Sequence, residues 1–218
     1  MGLFSPLFVA LNRANLRYVI VGGLATVLHG HTRLTDDVDL VIDLAPEAVL
    51  RAIETLRDLG LKPRALVELL DFAVAERRRQ WIEEKGMRVF SLFDPAQPMR
   101  ELDLFVENPL DFEVLWQDSV VKVLGECSVH VASVPHLIGM KRAAGRPQDL
   151  LDIEALEEIA KNQRGAVSDS YRGGWEAHRK DQLIRGLAAT SAQRLAWLES
   201  MIEVAWKSGA LPRRRTAT

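Results

Sequence analysis

Apolar and polar positions along this chain of 218 residues follow two periods, and the switches between them mark the elements. Ser5 followed by Pro6 predicts an N-cap and first turn, with Leu7, Ala10, Leu11 and Ala14 as the apolar stripe of a helix. Tyr18, Val19, Ile20 and Val21 form an unbroken apolar run ended by Gly22 and Gly23, the pattern of a short strand covered on both faces. From Asp37 to Ile42 the period is two: Val38, Leu40 and Ile42 point one way, and Asp37, Asp39 and Val41 the other. Pro46 predicts a helix start with Val49, Leu50, Ile53 and Leu56 inward and Gly60 as the stop. A second helical segment is expected after Pro63, carried by Leu66, Leu69, Leu70 and Ala73.

Strands from Met87 to Phe93 and from Met99 to Val106 flank a DPAQP turn, and a further hairpin from Val120 to Val131 turns at Gly125. Ser133 and Pro135 open a helix, which Gly145, Arg146 and Pro147 separate from the next. From about Ala166 onward the texture is that of tryptophan-bearing helices. Thr190 and Gln193 form a capping-box pair there, with Leu195, Leu198, Ile202 and Ala205 inward before Gly209 and Pro212. The order of elements predicts an α+β fold: a mixed β-sheet flanked by helices over residues 1–163, then a C-terminal helical extension over 164–218.

A hydrophobic fraction of 48% with 27% charged residues is that of an ordinary globular chain long enough to bury a core. A net charge of −2 gives no argument for bulk nucleic-acid binding. The single cysteine, Cys127, excludes an intrachain disulfide and fits a reducing compartment. No run of about 18 apolar residues exists, and the first residues lack the basic leader of a signal peptide, so a cytoplasmic protein without membrane partners is expected.

The candidate chemistry sits between Arg17 and Leu44. Asp37 and Asp39, two residues apart on one strand face, lie roughly 6–7 Å apart and repel each other unless a cation lies between them. Hard cations such as Mg²⁺ take oxygen ligands, commonly one or two carboxylates plus substrate phosphates. Gly22 and Gly23 open a helix, where free backbone N–H groups and the dipole can hold a phosphate. A further acid, Asp103, stands among Leu102, Leu104 and Phe105 with Glu101 on its own face, and it costs free energy to bury unless paired or metal-bound.

The string GGLATVLHGHTRLTDDVDLVID resembles the signature of the nucleotidyltransferase superfamily, whose fold is that of DNA polymerase β, and most nearly its bacterial minimal and abortive-infection (AbiE-type, AbiEii) toxin branches. The resemblance covers roughly residues 17–160. It implies a Mg²⁺-dependent enzyme (Mn²⁺ the alternative ion) that moves a nucleoside monophosphate from a nucleoside triphosphate to a hydroxyl on tRNA, protein or a small molecule. It puts Gly22, Gly23, Arg33 and Thr35 on the triphosphate and Asp37, Asp39 and a third carboxylate on the metals. Asp103 matches that third acid, with Glu101 as the fallback that spacing does not separate from it. In the toxin branches a helix lysine precedes an Arg-x-x-Asp-x-x-Asp stretch, which implies Lys141 near the nucleotide with Asp149 and Asp152 orienting it, and an antitoxin as partner.

Each residue also has a plainer reading. The acids can be solvated strand-end groups, Gly22 and Gly23 a tight turn, Asp103 the partner of Arg100, and Lys141 a salt-bridged surface lysine. His29 and His31 lack companions at zinc spacing. Arg77, Arg78 and Arg79 read as a solvated helix face before an RNA-facing patch, Arg172 and His178 are faintly spaced like a ribonuclease pair, and Arg213–Arg215 read as a disordered tail. Taken together, the plain readings describe a catalytically inactive nucleotide-binding or protein-interaction module that retains the fold.

Overall fold

The computed structural model describes residues 2–163 and 175–211. Among them, seven strands form one mixed sheet: β1 (Tyr18–Val21), β2 (Asp37–Ile42), β3 (Lys62–Pro63), β4 (Val89–Phe93), β5 (Glu101–Phe105), β6 (Val120–Leu124) and β7 (Cys127–Val131), in the order β3-β4-β5-β2-β1-β7-β6. The sheet is flanked by helices α1 (Ser5–Arg13), α2 (Gly22–His29), α3 (Pro46–Asp58), α4 (Ala75–Lys85), α5 (Phe112–Gln117), α6 (Val134–Ala144), α7 (Pro147–Gln163), α8 (Trp175–Ala188) and α9 (Ser191–Ser208). The α+β expectation is met.

β1 is covered on both faces, its four residues all buried, as its unbroken apolar run requires. β2 runs antiparallel to β1 and parallel to β5, in a register that sets Asp37 opposite Glu101 and Asp39 opposite Asp103. On the other face of the same strands Val38, Leu40, Leu102 and Leu104 are fully buried, so the two-residue period divides a dry face from an acidic one. β4 and β5 form the expected antiparallel hairpin, as do β6 and β7.

Several local expectations change. Ser5 is the first residue of α1 rather than its cap; the N-cap is Phe4, whose N–H donates to the Glu199 carboxylate at 2.9 Å. Leu50 is exposed on α3, while Ala52 joins Val49, Ile53 and Leu56 inside. No helix follows Pro63 directly. Lys62 and Pro63 pair with β4, Arg64 N–H continues that edge to the Ser91 carbonyl, and Leu66 is 80% exposed. A residue preceding proline is pushed toward extended backbone, which favours the edge strand over a helix there. The apolar positions beyond it form a 3₁₀ turn, Leu69–Ala73, with Leu69 and Phe72 inward at the i, i+3 spacing of that helix. α4 then carries Arg78 inward: its guanidinium donates to the Phe72 carbonyl at 2.6 Å, so only Arg77 and Arg79 are solvated.

The last helices complete the core. Leu195, Leu198 and Ile202 of α9 lie in the same hydrophobic cluster as β1 and α2. Arg194, 9% exposed, donates to the carbonyls of Leu28 at the end of α2 and of Gly186 and Leu187 at the end of α8. A cation at two helix C-termini meets both dipoles and unpaired carbonyls at once. Arg172 and Arg213–Arg215 lie outside the described residues, as does the side chain of His178. No helix among the described residues is long and apolar enough to cross a membrane.

Arg194→Met keeps most of the buried stem and strands three carbonyls. Urea denaturation is expected to show a loss of about 2–3 kcal/mol; an unchanged midpoint would mean the clasp contributes nothing.

Candidate active site

The site begins where β1 ends. Gly22 adopts φ +63°, a left-handed conformation, and any side chain built on it would overlap the Asp39 carboxylate. A side chain on Gly23 would overlap Thr35 Oγ1 and the Arg33 guanidinium. The glycine pair is therefore a demand of close approach as well as of backbone shape. It lets one carboxylate, one hydroxyl and one guanidinium press against the first turn of α2, and the Gly23 N–H donates to Asp39.

Three acids converge there. Asp37 and Asp39 from β2 and Asp103 from β5 each offer a carboxylate oxygen, all within 4.8 Å of one another. Among the described residues no other group of three or more His, Cys, Asp or Glu is placed to hold a metal ion. Burial, first, and then the charges of Asp37 and Asp103 push the Asp39 carboxyl up to about 7, against weaker lowering by the Gly23 N–H and by the field of Arg146. An all-oxygen, like-charged cluster of this kind can hold a hard divalent cation, which would relieve the repulsion.

Asp103 and Glu101 differ in where their carboxylates lie, Asp103 with Asp37 and Asp39 and Glu101 against Arg64. Glu101 is bound by the Arg64 guanidinium, whose Nε lies 3.3 Å from Glu101 Oε2 and whose plane also covers the Phe93 ring. Arg100, the alternative partner for Asp103, is instead engaged with Asp94 at 2.7 Å and with the Leu3 carbonyl. Asp103 stays with the other two acids. Arg64 and Glu101 are 37 residues apart, which is why sequence spacing alone could not separate the two candidates.

Thr35 Oγ donates to Asp37 Oδ1 at 2.9 Å, so it orients a carboxylate as well as facing Gly23. Arg33 lies in ion-pair contact with Asp152 on α7, 3.3 Å from Nε to Oδ1. Lys141 is salt-bridged, as its plainer reading has it, but buried: Nζ lies 2.6 Å from Asp152 and 3.4 Å from Asp149. Arg146, expected only to separate two helices or to head the acidic stretch, is exposed at the α6–α7 turn with its charge felt at Asp39. His29 is a core histidine. Its Nε2 contacts the Ala132 carbonyl at 2.8 Å, and burial lowers its pKa to about 4.

A family model described as a nucleotidyltransferase of unknown function, DUF6036, matches residues 6–163. The chain belongs to that family. Among solved structures it is similar to the lincosamide antibiotic adenylyltransferase LnuA in its lincomycin-bound form. That likeness has 17% identity and a TM-score of 0.45, and it covers 72% of this chain and 95% of that one. No curated protein matches.

The raised Asp39 makes a linked prediction. A carboxyl whose folded pKa lies above its unfolded value of 3.8 contributes stability below that value and loses it as pH rises through about 7. His29, lowered in the folded state, acts in the opposite direction over much of the same range, so wild type is compared with Asp39→Asn, in which that term cancels. Without divalent ions, the melting temperature of wild type relative to the variant should fall from pH 4 to pH 7. Mg²⁺ at pH 8 should raise wild type and leave the variant unmoved. A pH-independent difference contradicts the assignment.

Proposed function

We propose that this protein is a Mg²⁺-dependent nucleotidyltransferase that joins a nucleoside monophosphate from a nucleoside triphosphate to a hydroxyl acceptor. The observation that supports it most is the convergence of Asp37, Asp39 and Asp103 beside a helix started by two glycines.

In this reading Asp37, Asp39 and Asp103 hold divalent metal, with Mn²⁺ as the alternative ion. When bound, the metal lowers the pKa of the acceptor hydroxyl and offsets charge on the departing pyrophosphate. The first-turn amides of α2 other than that of Gly23, which is engaged by Asp39, and the Arg33 guanidinium bind the polyphosphate, and Thr35 holds Asp37 in its orientation. The acceptor oxygen attacks the α-phosphorus, forming a new P–O bond, while the bond from that phosphorus to the bridging oxygen breaks and pyrophosphate leaves. Asp103 takes the hydroxyl proton. The carboxylates thus bind and neutralise, and the backbone of α2 supplies the anion cradle.

The sequence resemblance extends the reading to an AbiE-type toxin acting in the cytoplasm on tRNA or a protein, with an antitoxin as its inhibitor. Within this proposal, residues 1–163 carry the activity and 164–218 form a helical extension.

Asp103→Asn should leave thermal unfolding nearly unchanged and reduce pyrophosphate release at least a hundredfold, about 2.7 kcal/mol of barrier. Labelled triphosphates incubated with cell extract should name the acceptor in the same experiment, and label on tRNA or a host protein supports the toxin reading. Equal release by wild type and Asp103→Asn removes the enzyme proposal.

A further inference from the structure

Lys141 is implied by resemblance as a nucleotide contact, yet its side chain is 8% exposed and its ammonium lies between two carboxylates. Asp149 uses one oxygen for Lys141 and the other, at 3.1 Å, to accept the Arg146 backbone N–H, which fixes the turn between α6 and α7. Asp152, 1% exposed, uses Oδ2 for Lys141 and turns Oδ1 toward Arg33 Nε. That oxygen and that nitrogen are buried and make no hydrogen bond, although they are 3.3 Å apart. The guanidinium is thus held by charge at Nε and by a hydrogen bond from Nη1 to the Leu34 carbonyl at 3.2 Å, with Nη2 at Gly23, rather than locked to the carboxylate. His31 Nε2 adds a contact at 3.7 Å to the same Oδ1.

The charges close. Two carboxylates, one lysine and Arg33 sum to zero, so a buried ammonium that would be costly alone is offset, and each acid still has one oxygen for a second task. Each second task serves one arginine of the anion end of the site: Asp152 for Arg33, and Asp149 for the turn that presents Arg146.

We propose that Lys141, Asp149 and Asp152 form a buried positioning cluster that sets Arg33 and Arg146 toward the triphosphate, so that the phosphates are gripped by arginines and not by Lys141. The inference rests on the nucleotidyltransferase reading and assigns the phosphate-binding work within it. Asp152 acts through Arg33 and has no contact of its own with substrate. Lys141 is the counter-ion that holds both carboxylates in place.

The test is calorimetric binding of the α,β-methylene analogues of the four nucleoside triphosphates with Mg²⁺, followed by steady-state kinetics with the tightest binder's parent nucleotide. Arg33→Gln and Asp152→Asn should each weaken binding about tenfold or more, through misplacement of one phosphate contact. Adding Asp152→Asn to Arg33→Gln should cost nothing further, and Asp152→Asn should raise KM more than it lowers kcat. Asp152→Glu keeps the charge balance and serves if the amide variant does not fold, with a smaller loss in the same direction. Wild-type affinity in both Asp152 variants overturns the proposal, as do effects of Arg33 and Asp152 that multiply. So does a Lys141→Met variant that loses binding while Asp152→Asn retains it, which would make the lysine a direct ligand. If wild type binds none of the four analogues, the nucleotide reading itself fails and this assignment falls with it.

Discussion

Three half-buried carboxylates of like charge, brought together on adjacent strands, are the constraint around which the rest of this molecule is arranged. Burial and mutual repulsion hold Asp39 near a pKa of 7, a free-energy cost that a well-packed sheet carries only if something else recovers it. The register of β2 on β5 creates the cluster, because it sets Asp39 directly beside Asp103. The dry face beneath, with Val38, Leu40, Leu102 and Leu104 fully buried, prevents that register from slipping: a shift of one residue would bury the acids and expose the aliphatics.

The glycine turn belongs to the same constraint. Gly22 is required because the Asp39 carboxylate occupies the place its side chain would take, and Gly23 because Thr35 and Arg33 occupy the other. The start of α2 therefore meets a negative and a positive group at once. In the proposed reading the carboxylates attract a cation, while Arg33, Arg146 and the remaining first-turn amides attract an anion. A metal–polyphosphate pair complements both halves together, which a lone metal or a lone phosphate does not. Membership in a nucleotidyltransferase family of unknown function agrees with this division of labour.

Much of this was legible in the chain because it is local. The apolar run of β1, the two-residue period of β2 and the Thr190–Gln193 capping box each depend on neighbours within a few positions, and the structure has all three. The second helix expected after Pro63 was not there, because Pro63 is drawn onto the sheet edge against Leu92, a tertiary demand that outweighs the spacing of Leu66, Leu69 and Leu70. The short helix α5, opened by the Asp111 side chain on the Val114 N–H, offers too brief a pattern to predict. In the site, Asp37, Asp39 and the glycines follow from one string. That Asp103 rather than Glu101 lies beside Asp37 and Asp39 depends on the distant Arg64, which engages Glu101, and the Lys141 cluster depends on α6 and α7 folding against Arg33.

Anomalous diffraction would locate the metal ion that we propose the acidic cluster holds to receive a polyphosphate. Crystals grown with Mn²⁺ and an α,β-methylene nucleoside triphosphate should show an anomalous peak in contact with the Asp37, Asp39 and Asp103 carboxylates and with phosphate oxygens beside Gly22 and Gly23. A peak away from these residues, or nucleotide bound elsewhere with the acids unliganded, would contradict the account.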